Sequence, residues 1–342
     1  MIVRGLGLFV VGSVVLMVVA APLLAPHGTS DSFPQLLNAP PTFPHVIDRS
    51  GHWHLPFVYP WKLASQLEQR YEQDFSHMVP LVWCRGSRLV ASSNDAHVPL
   101  LLLGADSYGR DVFSRLLYGG RVSIGLSLVA ACGAILIGGL VGAFAGYVGG
   151  TTDDLVIRGT DLVMVLPAMY VVLAFRGVLP LVLSSAAVFL LLAAIFAIIG
   201  APHVARGVRG IVRAERRLEY AVAAVSLGAG HMRVLARHLL PATAGFIAVE
   251  TTVLVPGFIV AEATLSYVGL GFPDSVASWG TMLREASNVR AFADFPWLLS
   301  PAAAMFLFVL GLNLLLQRRD INPVTISDDE SFRRSYTDSD AL

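Results

Sequence analysis

The chain has 342 residues, of which 55% are hydrophobic and only 14% charged, and its formal net charge is zero. Soluble domains carry about a quarter charged residues, so this balance excludes an ordinary soluble protein and defines an integral membrane one. The absence of net charge leaves no global attraction to nucleic acid.

The first apolar segment, residues 6–24, resembles a signal-peptide core with a small-residue stretch at Ala20-Ala21-Pro22. At about 1.5 Å per residue it is also long enough to cross a bilayer of roughly 30 Å, and a retained anchor is the favoured reading over cleavage. Residues 26–105 then form a long polar excursion rich in Pro, His and aromatics, with a more helical stretch at 62–75. Lys62, the only lysine, has no glycine-rich run before it. Without a GxxxxGK[ST] phosphate loop the chain does not bind ATP in the P-loop manner.

Further apolar segments follow at 122–147, 162–179, 181–201, 245–268 and 297–316, which makes six with the first. The fold expected is therefore an all-α membrane protein with six transmembrane helices. A short turn at Val178-Leu179-Pro180 joins the third and fourth segments, and Arg176 beside it snorkels to the interface. The membrane core spans 106–320, and the polar tail 321–342 reads as disordered.

Arginine placement sets the orientation. Residues 203–241 carry Arg206, Arg209, Arg213, Arg216, Arg217, Arg233 and Arg237, and Arg318 and Arg319 follow the last segment. By the positive-inside rule both regions are cytoplasmic. An even number of crossings places the N-terminus with Arg4 inside, the 149–154 turn with Arg158 inside, and residues 26–120 outside. Arg85, Arg88, Arg110, Arg115 and Arg121 then lie outside, which long loops tolerate.

His45, His52 and His54 cluster near Asp48 and invite a metal reading, but the spacing matches no defined site, and ordinary loop histidines are favoured. Cys84 and Cys132 fall in a loop and a span and do not read as a disulfide or metal pair. Asp161, Glu250 and Glu262 lie in or near apolar segments, where carboxylates default to functional candidates. Their alternatives are an interfacial Asp161 and hydrogen-bonded structural glutamates. Pro167, Pro256 and the glycines at 133, 138, 139, 142 and 146 suit broken or closely packed helices.

The basic loop divides into a helix at 204–218, an Ala-rich turn at 219–225, a break at Leu227-Gly228-Ala229-Gly230, and a second helix at 232–240 ended by Pro241. Such a helix–glycine–helix block is suited to press into a groove of a partner; the plainer reading is a passive loop that only sets topology.

The sequence Glu219-Tyr220-Ala221-Val222-Ala223-Ala224-Val225-Ser226-Leu227-Gly228-Ala229, followed by Arg237-His238-Leu239-Leu240-Pro241, resembles the EAA loop of binding-protein-dependent ABC importer permeases. The runs Leu103 to Gly119, Gly146-Tyr147-Val148-Gly149-Gly150, Ala261 to Gly271 and Ser278 to Leu283 resemble the C-type permease of the dipeptide/oligopeptide/nickel group.

This resemblance implies the type I importer permease fold, with an extended extracytoplasmic loop between helices 1 and 2. It implies a heterodimer with a second permease subunit, two cytoplasmic ATPase subunits and an extracytoplasmic substrate-binding protein. No cofactor is expected in this chain, ATP being bound by the partner subunits, and no enzyme activity of its own. Glu219, Ala223, Ala224, Gly228 and Pro241 match the ATPase-coupling element, whereas Val222 stands where the family has a glutamate. The competing function is an ion-coupled secondary transporter using Glu250 or Glu262.

Overall fold

The computed structural model describes residues 2–65, 69–85, 88–95, 97–167, 170–174, 184–287 and 293–316. Arg176, the Val178-Leu179-Pro180 turn, Arg318, Arg319 and the 321–342 tail lie outside the described residues.

Helix α1 (Ile2–Val19) is followed after one residue by α2 (Ala21–Leu24), with Pro22 in its first turn. The chain then builds strands β1 (His45–Ile47), β2 (Trp53–Val58), β3 (Trp61–Ser65), β4 (Arg70–Gln73), β5 (Val79–Arg85) and β6 (Arg88–Ser92). They form an antiparallel sheet in the order β1-β2-β5-β6 and a separate β3-β4 hairpin.

Two expectations are corrected here. The chain is mostly helical but not all-α, and the described residues of 62–75 are not helical: Lys62 pairs with Glu72 and Leu63 with Tyr71 across the hairpin. Tertiary packing overrides local helix propensity. Trp61 and Tyr71 close over Leu36, Ala39, Leu101 and Ala105, and the Tyr71 hydroxyl donates to the Leu37 carbonyl at 2.7 Å.

A hydrogen-bonded stem holds the ends of this β-rich segment together. Phe33 N–H donates to Gly109 O at 2.8 Å, Asn38 N–H to Asp106 O at 2.9 Å, Ala105 N–H to Ala39 O at 2.9 Å and Thr42 N–H to Leu101 O at 2.7 Å. Gly109 sits at φ +72°, and a Cβ there would overlap the Phe33 carbonyl. Both the dihedral and the space demand glycine.

Beyond the stem come α3 (Val112–Val148), α4 (Gly150–Val165), α5 (Ser185–Glu215), α6 (Glu219–Ser226) and α7 (His231–Val234). A π-helical turn at Leu235–Leu239 and a 3-10 turn at Leu240–Thr243 lead into α8 (Ala244–Tyr267), followed by α9 (Trp279–Glu285) and α10 (Ser300–Leu316). Among the described residues four helical runs are long and apolar enough to cross a membrane: Val112–Val148, Ser185–Glu215, His231–Tyr267 and Pro296–Leu315.

The other two apolar segments differ from uniform spans. The first is a shorter helix, Val3–Val19. The third is interrupted: α4 stops at Val165, and the Pro167 carbonyl accepts from Tyr170 N–H at 3.0 Å to begin a new turn. Proline lacks the N–H and the clearance to continue the preceding helix. Pro256, by contrast, lies inside α8, and Pro202 inside α5.

With 37 residues, α3 is roughly 55 Å long. It exceeds the ~30 Å hydrocarbon layer, so its ends stand clear of it. Gly138, Gly142 and Gly146 lie against the carbonyls of Ala201, Ala205 and Arg209 on α5. A Cβ at Gly146 would stand 2.6 Å from the Arg209 oxygen, and Cβ atoms at Gly138 and Gly142 would come closer still. Small residues four apart let two backbones approach in this way. Of the readings open for these glycines, close helix packing is the one the fold displays. A stacked Phe196–Phe258 pair, 5.4 Å between centroids, joins α5 to α8.

Candidate functional site

Helix α6 begins three residues beyond the end of α5, with Glu219 in its first turn, where a carboxylate suits the helix dipole. Residues 219–225, expected as a turn, are therefore helical. The Tyr220 hydroxyl donates to Glu215 at 2.6 Å, which pushes its pKa up to about 12.

At the other end, Ala229 N–H donates to the Ala224 carbonyl at 3.0 Å and Gly228 N–H to the Val225 carbonyl at 2.9 Å. Gly228 has φ +84°. These two bonds and the left-handed glycine form a Schellman motif, which closes the helix and turns the chain sharply. Nothing lies within 4 Å of where a Gly228 Cβ would stand. Within this chain the glycine is demanded by its dihedral angle rather than by close approach.

The two faces of α6 differ. Ala221 is buried, and Ala224 half-buried, in the core cluster that includes Val212, Val234 and Leu239. On the open side Ala223, Tyr220, Val222 and Val225 are exposed, and Leu227 at the tip is 88% exposed. Val222 thus extends an apolar tip. Behind it a groove of about 660 Å³ is lined by Phe144, Tyr147, Val222, Val225, His231 and Met232.

Pro241 does not end the following helix, as the sequence led us to expect. The π-helical turn places the Leu240 N–H on the Leu235 carbonyl, and the 3-10 turn then carries Pro241 near its start. Wider and tighter turns of this kind absorb a missing donor without breaking the rod.

The arginines of the basic stretch mostly serve the bundle. Arg209 grips both oxygens of Asp153 on α4, and Arg213 adds a bond at 3.2 Å. Arg206 pairs with Asp161. Arg216 donates to the Tyr147 and Val148 carbonyls at the end of α3, where a cation complements the helix dipole. Arg217, Arg233 and Arg237 remain exposed. Asp153 is a residue sequence reasoning missed; its position just after the Gly149-Gly150 break was the available signal.

The two intramembrane glutamates are not brought together. Twelve residues apart on α8, they are separated by roughly 18 Å of helix rise. Glu250 is half-buried and makes no ion pair among the described residues. Glu262 is fully buried and accepts from the hydroxyls of Ser123 at 2.8 Å, Ser266 at 2.7 Å and Ser278 at 2.8 Å. It ties α3, α8 and the start of α9 into one knot. Ser278 also caps α9 through a reciprocal box with Thr281, a signal legible in Ser278-Trp279-Gly280-Thr281 but not used. Among the described residues no group of histidines, cysteines and carboxylates is arranged to hold a metal. His52, just before β2, and His54, on β2, both pair with Asp48.

The far end of α3 is a charged collar. Asp106 accepts from Tyr108 N–H and Arg110 N–H, both at 2.9 Å, and from Arg110 Nε at 2.7 Å. Arg110 also reaches Glu285 on α9. Burial, with Asp106 nearby, pushes Glu285 up to about 7 against the opposing pull of Arg115 and Arg110. Asp111 caps α3, accepting from Phe113 N–H at 3.1 Å and Ser114 N–H at 3.2 Å. His27 contacts Asp111 at 3.2 Å and Asp95 at 3.0 Å. Burial opposes its charge, but the bonds to these carboxylates outweigh it and raise its pKa from 6.5 to about 9.

A raised histidine pKa means the fold favours the protonated form, so its contribution is full below 6.5 and lost as pH rises through 9. The melting temperature of the purified protein should therefore fall across that interval, and His27→Gln should flatten the fall. An unchanged slope in the variant would remove His27 from the account.

A bundle of long apolar helices, with a glycine-closed helix held out at one end, defines a multi-pass membrane protein. Residues 138–318 match the family described as the binding-protein-dependent transport system inner membrane component, and the chain belongs to that family. It is the membrane permease subunit of an ABC importer and not itself an enzyme, and this family membership implies ATPase and binding-protein partners.

Similar proteins include the oligopeptide transport system permease protein OppC of Bacillus subtilis (strain 168), 37% identical over 213 residues, which cover 62% of this chain and 67% of that one. The glutathione transport system permease protein GsiD of Pectobacterium atrosepticum is 35% identical over 213 residues, 62% of this chain and 68% of that one. OppC of Lactococcus lactis subsp. cremoris (strain SK11) is 31% identical over 209 residues, 61% and 69% of the two chains.

Proposed function

We propose that this chain is one of two different permease subunits of a peptide importer, working by alternating access. Its Glu219, Ala223, Ala224, Gly228 and Pro241 belong to the element that seats on an ATPase subunit. The observation that carries this reading is the Schellman-closed helix α6, anchored by Ala221 and presenting Val222, Val225 and Leu227 outward. An apolar tip on a rigid turn fits a cleft by shape, and no carboxylate at position 222 is needed. Peptide is favoured as cargo because the similar permeases are named for oligopeptides and glutathione.

The organisation we infer is a first span at 1–25, an extracytoplasmic loop at 26–105, a core at 106–320 with five further spans, and a tail at 321–342. Both termini and the 203–241 block are cytoplasmic. Contacts of α6 and α7 with the inner end of α3, including Tyr147 to His231 at 2.6 Å, support one shared cytoplasmic end. An ion-coupled transporter is disfavoured by the family match, and its Glu262 route further by the three serine hydroxyls that hold that carboxylate.

Affinity purification of the tagged chain from native membranes tests the reading. Two ATPase subunits and a second permease should co-purify, and mass spectrometry of the cognate binding protein should find retained peptides. Peptide uptake by this chain alone in liposomes, driven by a pH gradient, would overturn it.

A further inference from the structure

We propose that Asp153, Arg209 and Arg213 are positioning residues that carry the displacement of α6 to α4. The inference rests on the reading of α6 as the ATPase-docking element. Helix α5 is unbroken from Ser185 to Glu215, and α6 starts at Glu219. A push on α6 is therefore a push on the end of α5.

That end carries Arg206, Arg209 and Arg213 at three- and four-residue spacing, hence on one face. Helix α4 answers with Asp153 and Asp161. Its only buried side chains are Asp153 and Thr160, while Leu155, Leu162 and Val165 are 73%, 68% and 78% exposed. Val156 and Val163 are only half-buried, along an apolar groove shared with α3 and α5, and the directional contacts of α4 with α5 are polar, through Asp153, Thr160 and Asp161. The Arg206–Asp161 pair is about half exposed, with side chains 40% and 54% accessible, and such pairs contribute little. Asp153 is 3% exposed, with Arg209 on both oxygens and Arg213 on one. A buried two-point guanidinium grip fixes direction as well as distance.

The adjoining face of α5 is constrained as well. Gly138, Gly142 and Gly146 seat α3 on its backbone, and Arg216 closes the end of α3. The inner ends of α3, α4 and α5 thus form one clamp whose lever is α6, and Asp153 is the pin that includes α4 in it.

The test uses the complete importer, purified with its ATPase and second permease subunits. Leu155→Cys is placed in a Cys84→Ser, Cys132→Ser background, and its maleimide labelling rate is compared between nucleotide-free and ATP-plus-vanadate states. In the otherwise wild-type chain the rate should change about tenfold, within the usual range of allosteric coupling. Asp153→Asn should abolish the change while the ATPase subunits still co-purify and hydrolyse ATP, and Asp153→Glu should restore it. A purely structural role would lower abundance, hydrolysis and labelling change together.

The inference is overturned if the parent chain shows no rate change, if Asp153→Asn retains it, or if Asp153→Glu fails to restore it. Should Asp153→Asn not accumulate, Arg209→Lys, which keeps the charge and loses the two-point grip, is read by the same criteria. Absence of ATPase subunits from every complex, the parent included, would instead overturn the reading of α6 and this inference with it.

Discussion

Replacing Gly228 by valine is expected to release the ATPase subunits from the purified complex and to lower uptake at least about tenfold, the change that 1.4 kcal/mol produces. Abundance of the inserted chain should stay near wild type. The reason is local: φ +84° is a region that a β-branched residue enters at a cost of about 1–3 kcal/mol. Relaxing that strain opens the Schellman motif and swings Leu227 away from its position at the tip. The order of substitutions separates two explanations. Asparagine tolerates the left-handed region better than alanine, so a dihedral requirement ranks the losses Asn, then Ala, then Val. If the ATPase instead packs directly on Gly228, the ranking follows size, and asparagine is worse than alanine. Co-purification and uptake measured on the three variants decide between them.

Removing the Glu262 side chain with Glu262→Ala should collapse the membrane abundance of the chain. Ser123, Ser266 and Ser278 would lose a buried acceptor, at about 1–3 kcal/mol for each group left unsatisfied. Ser123 also accepts from Trp279 N–H at 3.1 Å, so the disturbance reaches the seat of α9. Glu262→Gln keeps the shape and one acceptor oxygen and should retain most abundance and most uptake. A quantitative membrane blot beside a transport assay tests this. Full abundance with no uptake in Glu262→Gln would mark the residue as a proton carrier and revive the ion-coupled reading.

The long helices were legible because their apolar runs are continuous and exceed what a soluble core requires. The proposed docking element was legible through glycine: the left-handed turn at Gly228 leaves a visible mark in sequence, as does the Gly138, Gly142, Gly146 ladder. What the sequence concealed was decided by partners distant along the chain. The stretch at 62–75 has helix-forming residues, yet Tyr71 finds Leu37 and becomes part of a hairpin. Pro241 reads as a helix end, yet a π-helical turn beside it keeps the rod continuous. The arginines of 206–213 read as markers of orientation, and only the fold reveals that they face Asp153 and Asp161. Charge at a surface and charge in a clamp look identical in one dimension.

The stem that joins Phe33 to Gly109 and Thr42 to Leu101 makes the β-rich segment a graft. Its two ends leave the helical bundle side by side, so the bundle does not register how much chain lies between them. Loop-closure entropy grows only with the logarithm of length. The length of residues 43–94 therefore bears little on the entropy of closing the bundle, provided the four stem bonds, the Trp61 and Tyr71 cover over them and the His27–Asp95 contact survive. The surface carried by the graft and the proposed docking helix at the opposite end of α3 are in this sense separately built parts of one chain.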